Sequence, residues 1–422
     1  MARSQRAFVA ARSGTTPGDT VCDLTNRRPI ITYFRTLSAA GFAATAISYG
    51  PGRMGFGLFV PEFRSAFSMS TSAVGIVSSL GFFGFFVGLL IAQAMLNRLR
   101  PEFPVLAGLC AALVGLVIVA AAPNVIVLAC GVAIAASSAG FAWTPFNDAV
   151  HRKINDIDRP TALSEISTGT SVGIMGAGGA ALLMVLMGVP WRLCWAGFAL
   201  LAAIALVANW AVLNPVERDT RSGPKEGWRA VLQPSAMPLF AVANVFGVTS
   251  AIYIAFAGDH VQEAGGVPGL PAPAAPALLF ILYGFFGLAG FLTNRARQAV
   301  GLTWLLRVLL FMTALSLALT AFVPANWAGL VGSAGLQGMH VMMTSAVIAF
   351  WSEKLFPELP ALGFTAALLG TAVGSVVGPA VAGLVSSMAG AEVMFYGAAA
   401  LAFATGLLLP ASWIKESPAR SD

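Results

Sequence analysis

Apolar residues in this chain come in long blocks. Twelve runs can be marked, at 37–61, 71–96, 104–122, 125–147, 163–189, 191–213, 236–258, 275–293, 299–323, 326–352, 359–388 and 392–413. Each is long enough to cross ~30 Å of hydrocarbon as a helix. Helices are the only open structures that satisfy their own backbone in lipid, so the pattern predicts an all-α polytopic membrane protein with twelve transmembrane helices. Between runs six and seven lies the longest internal connection, 214–235, with the charged Pro/Gly stretch "NPVERDTRSGPKEGW". Residues 1–36 are polar, hold six arginines and lack a signal-peptide pattern; they and 414–422 are expected to be cytoplasmic tails.

The blocks repeat. Run two contains "LGFFGFFVGLL" from Leu80 and run eight "YGFFGLAGFL" from Tyr283, an offset of 203 residues. Run five contains "GTSVGIMGAG" from Gly169 and run eleven "GTAVGSVVGP" from Gly370, an offset of 201. Two matches at nearly the same spacing imply two six-helix halves in parallel repeat, 37–213 and 236–413, around a central cavity.

Composition supports the same class. Apolar residues make up 57% of the chain and charged residues 10%, against about 25% charged in soluble domains. The net charge of +6 is not a nucleic-acid signal, because the basic residues are scattered through the segments between runs. With a cytoplasmic N-terminus, all but Arg53, Arg64, Arg192 and Arg307 of the 24 Lys and Arg fall in cytoplasmic segments, as the positive-inside rule requires. The excess of Arg over Lys and the wealth of Ala and Gly point to a bacterial protein, whose expected location is the inner membrane. Cys22, Cys110, Cys130 and Cys194 have no metal-ligand spacing and read as small packing residues.

Twelve spans, a cytoplasmic N-terminus, two six-helix halves and a basic central loop resemble the major facilitator superfamily over nearly the whole chain after residue 36. "GRMGFGLFVPEFRSAFSMSTSAVGIVSS" is also similar to the first helix and following loop of many bacterial members. The resemblance implies alternating access about a site lined mainly by helices 1, 4, 7 and 10, in a protein usually monomeric. The loop after span two departs from the family pattern G-x-x-x-D-R-x-G-R-R: in "AMLNRLRPEF", Arg98 and Arg100 remain but Asn97 stands in for the acid. That weakens the carry-over of the gating charge pair the motif makes.

Small residues recur at helical spacing. Span eleven carries Gly370, Gly374 and Gly378; span five Gly169 and Gly173; span two Gly84 and Gly88; span eight Gly284, Gly287 and Gly290. Such faces let backbones approach closely. In the family, spans 2 and 11, and 5 and 8, meet across the halves, so the stripes are expected to form the rocking interface.

Span one holds Tyr49, Gly50, Pro51, Gly52 and Arg53. Proline removes a backbone donor and kinks a helix. An arginine near mid-membrane costs about 2.5–3.5 kcal/mol on insertion scales, which argues for a use. A guanidinium matches a carboxylate and stays protonated, so Arg53 is expected to face the cavity and bind an anion, with Tyr49 beside it. The competing reading makes "GPGR" an outer turn. Further candidates for the substrate site are Asn244, Thr249 and Tyr253 in span seven, Tyr283 in span eight, and Gln337 and His340 in span ten. His340 is the one histidine within a span and thus the candidate for proton coupling. Asp148 and Arg152, one turn apart, are a candidate inner gate, and Arg307 is expected to snorkel.

These features predict a secondary transporter for a small organic anion, with a proton as candidate coupling ion and no cofactor or metal. An exporter of lipophilic compounds is the first rival; Pro379 of span eleven has no counterpart near Gly178, where the antiporter motif would need one. A receptor or membrane enzyme is the second rival. Against the enzyme stands the lack of any His/Asp/Glu metal cluster, Ser/His/Asp set or phosphate loop in the sequence.

Overall fold

The structure is a computed structural model that describes residues 27–96, 98–100, 102–154, 158–213 and 231–414. The tail 1–26, most of the linker and residues 415–422 therefore lie outside the described residues. The described chain is helical, with no strand among its elements. In chain order the helices are α1 (Arg27–Ile47), α2 (Gly55–Leu58), α3 (Val60–Phe67), α4 (Thr71–Leu96), α5 (Glu102–Ala121), α6 (Val125–Gly140), α7 (Trp143–Lys153), α8 (Arg159–Met187) and α9 (Trp191–Leu213). They continue with α10 (Met237–Glu263), α11 (Ala275–Gly287), α12 (Thr293–Phe322), α13 (Trp327–Leu355), α14 (Pro360–Ala389) and α15 (Ala391–Leu408).

Nine described helices are long and apolar enough to cross a bilayer. Runs one and ten are not among them. Run one is interrupted after Ile47 by a π-helical turn, Ser48–Met54, and is completed by the short α2 and α3. Run ten, α13, is diluted by glycines and by Gln337 and His340. Runs eight and nine form one helical stretch, Ala272–Phe322, which turns back at Gly301. A φ of 78° there is accessible to glycine at no steric cost. A belt of large apolar side chains, among them Phe83, Leu186, Ile204, Leu315 and Val377, is exposed, as a lipid-facing surface requires.

The packing repeats as the sequence does. Helix α1 packs on α8, α4 on α6 and α5 on α9; the corresponding later pairs, α10 on α14, α11 on α13 and α12 on α15, also pack. The N-terminal and C-terminal sets of helices meet through α4 on α14 and α8 on α11.

The glycine stripes are not the seam expected of them. A Cβ on Gly374 would lie 2.1 Å from the Asn244 carbonyl oxygen, and one on Gly378 would meet Val248, both on α10 of the same set. Gly370 also faces α10. Gly84 and Gly88 face α6, and Gly169 and Gly173 face α1, again within one set. Of the predicted interface glycines, Gly287 reaches across, to the Ser171 hydroxyl, and Gly284 beside it meets Ser171 and Met175. The close approaches between sets use Gly57 on Ile254, Gly75 on Pro379, Gly178 on Ala277 and Gly383 on Thr71 and Gly75. Spacing marks a small face but cannot say which neighbour it meets.

Candidate functional site

The sequence SYGPGRM forms the π-turn because Pro51 has no N–H to close an α-helical bond and both flanking glycines tolerate close contact. Gly50 lies against Gly173 of α8, and Gly52 against Ser138 and Ala135 of α6. The outer-turn alternative for "GPGR" is therefore overturned: the segment is helical and packed in the protein interior. Beyond it, Phe59 and Phe63 pack edge-on or tilted against Trp191, Trp195 and Phe198 of α9, and Phe56 stacks on Phe63. That cluster anchors α2 and α3 and fixes the direction of the turn.

The turn delivers Tyr49, Arg53 and Met54 to a central cavity of about 540 Å³. Its walls come from α4, α7, α8, α10, α11, α12, α13 and α14, that is, from both sets. The Arg53 guanidinium lies over the ring of Phe85 at 4.2 Å and within 5.6 Å of the Tyr49 and Phe82 ring centres. Cation–π contacts of this kind contribute roughly 0.5–2 kcal/mol each, enough to offset much of the cost of the charge. They do not satisfy its N–H groups. Among the described residues no side chain or carbonyl accepts from Arg53, its Nε is buried without a partner, and no Asp or Glu lines the cavity.

Six predicted site residues are not brought to the cavity. Asn244 donates to the Gly370 carbonyl (3.3 Å) and serves the α10–α14 contact. Thr249 is fully buried and bonds back to the Val245 carbonyl at 2.9 Å. Tyr253 and Tyr283 stack at 6.2 Å, both fully buried; Tyr253 donates to the Ser333 hydroxyl, and the Tyr283 hydroxyl has no partner. Gln337 accepts from Thr313 at 3.0 Å, inside the C-terminal helices. His340 is fully buried one layer behind the cavity-lining Phe246, edge to face at 5.5 Å, with Nδ1 3.2 Å from the Thr344 hydroxyl. It touches no open volume, so the geometry gives the expected proton relay no route through it. The side chains of Asp148 and Arg152 lie outside the described residues. Arg307 donates to the Leu409 carbonyl at 2.8 Å, at the end of α15.

Sequence reasoning missed several lining groups. Ser164, Ser167, Thr168 and Ser171 form one face of α8, at spacings of three and four that were legible in advance. Phe246 and Ser250 of α10 face them, and Arg297 of α12 sits at the rim, 3.9 Å over the Phe350 ring.

The cavity opens at one end and is shut at the other. Ser164, Asn294, Arg297 and Phe350 at the rim are exposed or half-buried. At the far end, beyond Met54 and Ile254, Arg64 of α3 pairs with Asp259 and Glu263 of α10. Ser72 of α4 bonds Ser387 of α14 at 3.1 Å in the same layer.

A family model described as "Uncharacterised MFS-type transporter YbfB" matches residues 45–409. A variant of the nucleoside transporter NupG superposes with a TM-score of 0.70 at 14% identity, covering 89% of this chain and 98% of that one. A bacterial homologue of the human lysosomal transporter Spinster, in an inward-facing and occupied conformation, gives 0.67 at 18% identity over 90% and 97% of the two chains. At such identities the likeness is one of fold. No curated protein matches the chain.

Proposed function

The chain belongs to the major facilitator superfamily of membrane transporters, and from that premise we propose that it moves a small organic anion by alternating access. The observation that carries this reading is Arg53: a cation in the central cavity, caged by rings, with no acidic partner and with N–H donors left for a ligand. A carboxylate supplies the missing charge and accepts two parallel hydrogen bonds. The two six-helix halves, 37–213 and 236–413, rock about this site. The rim at Arg297 lies on the cytoplasmic side with both termini, the Arg64 layer faces outward, and the protein works as a monomer in a bacterial inner membrane.

The test is a thermal-shift screen of purified wild type and Arg53→Gln against carboxylates, nucleosides and lipophilic cations. A ligand that binds the folded state raises its melting temperature by mass action. A shift by carboxylates that disappears in the variant is the expected result. Shifts by lipophilic compounds or nucleosides that survive the substitution overturn it.

A further inference from the structure

The cavity constrains more than the sign of its ligand's charge. The faces of the Arg53 guanidinium are taken by Phe85, Phe82 and Tyr49, so a ligand reaches it along its edge, which suits a planar carboxylate. The other cavity-lining cation among the described residues, Arg297, is occupied at the rim by Phe350 and by Asn294, whose Oδ1 accepts from it at 3.1 Å. Most of the remaining wall is apolar, led by Phe246, Phe291, Phe350 and Phe364. Polar groups are confined to narrow strips, the α8 hydroxyl face and Ser250. Four buried serine hydroxyls among the described residues, those of Ser38, Ser78, Ser79 and Ser250, have no hydrogen-bond partner, and of these Ser250, 6% exposed, is the one whose residue lines the cavity. Serines within helices usually bond back to their own carbonyls, as Ser375 does here to Thr371.

We infer, building on the anion reading above, that the ligand is an amphipathic monocarboxylate: a flat aromatic body of about two rings, its carboxylate on Arg53, bearing a hydroxyl or amide that pairs with Ser250. A volume of about 540 Å³ falls within the range of pockets that enclose ligands much larger than a four-carbon acid. A small dicarboxylate would leave most of the aromatic wall in contact with water and would place its second charge against that wall. A two-ring acid covers the wall and brings one charge to one free cation.

The experiment is isothermal titration calorimetry on the purified full-length chain with benzoate, naphthoate, hydroxynaphthoate, succinate, uridine and tetraphenylphosphonium. Naphthoate is expected to bind about tenfold or more tighter than benzoate or succinate, the discrimination an apolar pocket gives a larger apolar body. Hydroxynaphthoate is expected to bind tighter still, and Ser250→Ala to erase only that last advantage. Arg53→Gln should abolish binding of all carboxylates. If that variant fails to fold, Arg53→Lys, which keeps the charge and loses the fork, should weaken them together. Succinate binding as tightly as naphthoate, still dependent on Arg53, overturns the aromatic inference and leaves the anion reading standing. Uridine or tetraphenylphosphonium binding with no carboxylate bound overturns both. A hydroxyl advantage that survives Ser250→Ala overturns the assignment of that contact.

Discussion

The two ends of the central cavity are held by different chemistry. At the Arg64 end, α3 and α10 are joined by one arginine with two carboxylates, α4 and α14 by a serine pair, and the backbones touch where Gly57 meets Ile254. At the Arg297 end the rim residues are open, and the cation there is paired with a ring of α13 and an amide of its own helix. Charged and hydroxyl contacts can be made and broken at modest cost, whereas interlocked core side chains cannot. Arg64 and Ser72 make such contacts between the two sets at the shut end, and at the other end of α4 Thr365 of α14 donates to Gln93 at 3.1 Å. The tight glycine packing of Gly374 on Asn244 lies within one set and has no reason to move. The contrast separates what slides from what stays.

The sharpest way to break this contrast is Gly57→Leu. A Cβ there would sit 1.9 Å from the Ile254 carbonyl oxygen, so α10 has to withdraw. Overpacking of this kind typically costs about 1–3 kcal/mol. The expected result is an Arg64 end propped open, read as strong labelling of Ser72→Cys by a membrane-impermeant maleimide. Unchanged labelling relative to the Gly57 background would mean that this approach does not hold the end shut. A smaller effect is expected from Arg64→Gln, which leaves Asp259 and Glu263 facing each other without a cation. Arg64 and Glu263 are partly exposed, and exposed ion pairs typically carry about 0.2–1 kcal/mol, so labelling should rise by less than in Gly57→Leu, with α10 still packed on α14.

Much of this was legible in the chain. The apolar blocks gave the fold class, and the offset between Gly169 and Gly370 matched a packing pattern that recurs. Arg53 could be placed in the cavity because a proline, two glycines and a charge inside an apolar run admit few uses. His340 could not be placed, since a polar residue at depth has the same spacing signature whether it faces a cavity or a neighbouring helix. Arg64 looked like a loop charge because its partner Asp259 lies 195 positions away. Ser250 and the α8 hydroxyls escaped notice because serine and threonine in helices so often satisfy themselves.

The π-turn at Ser48–Met54 has a consequence of phase. A π-turn spends extra residues on one revolution, so the helical wheels on either side of it are out of register with each other. Before it, Gly41 and Thr45 read against Ile166 of α8; after it, Phe59 and Phe63 read against Trp195 of α9, and Gly57 against α10. The first helix thereby keeps two independent angular settings. Removing one residue from the turn would lock them into a single phase, in which Thr45 keeps Ile166 or Gly57 keeps Ile254, but not both.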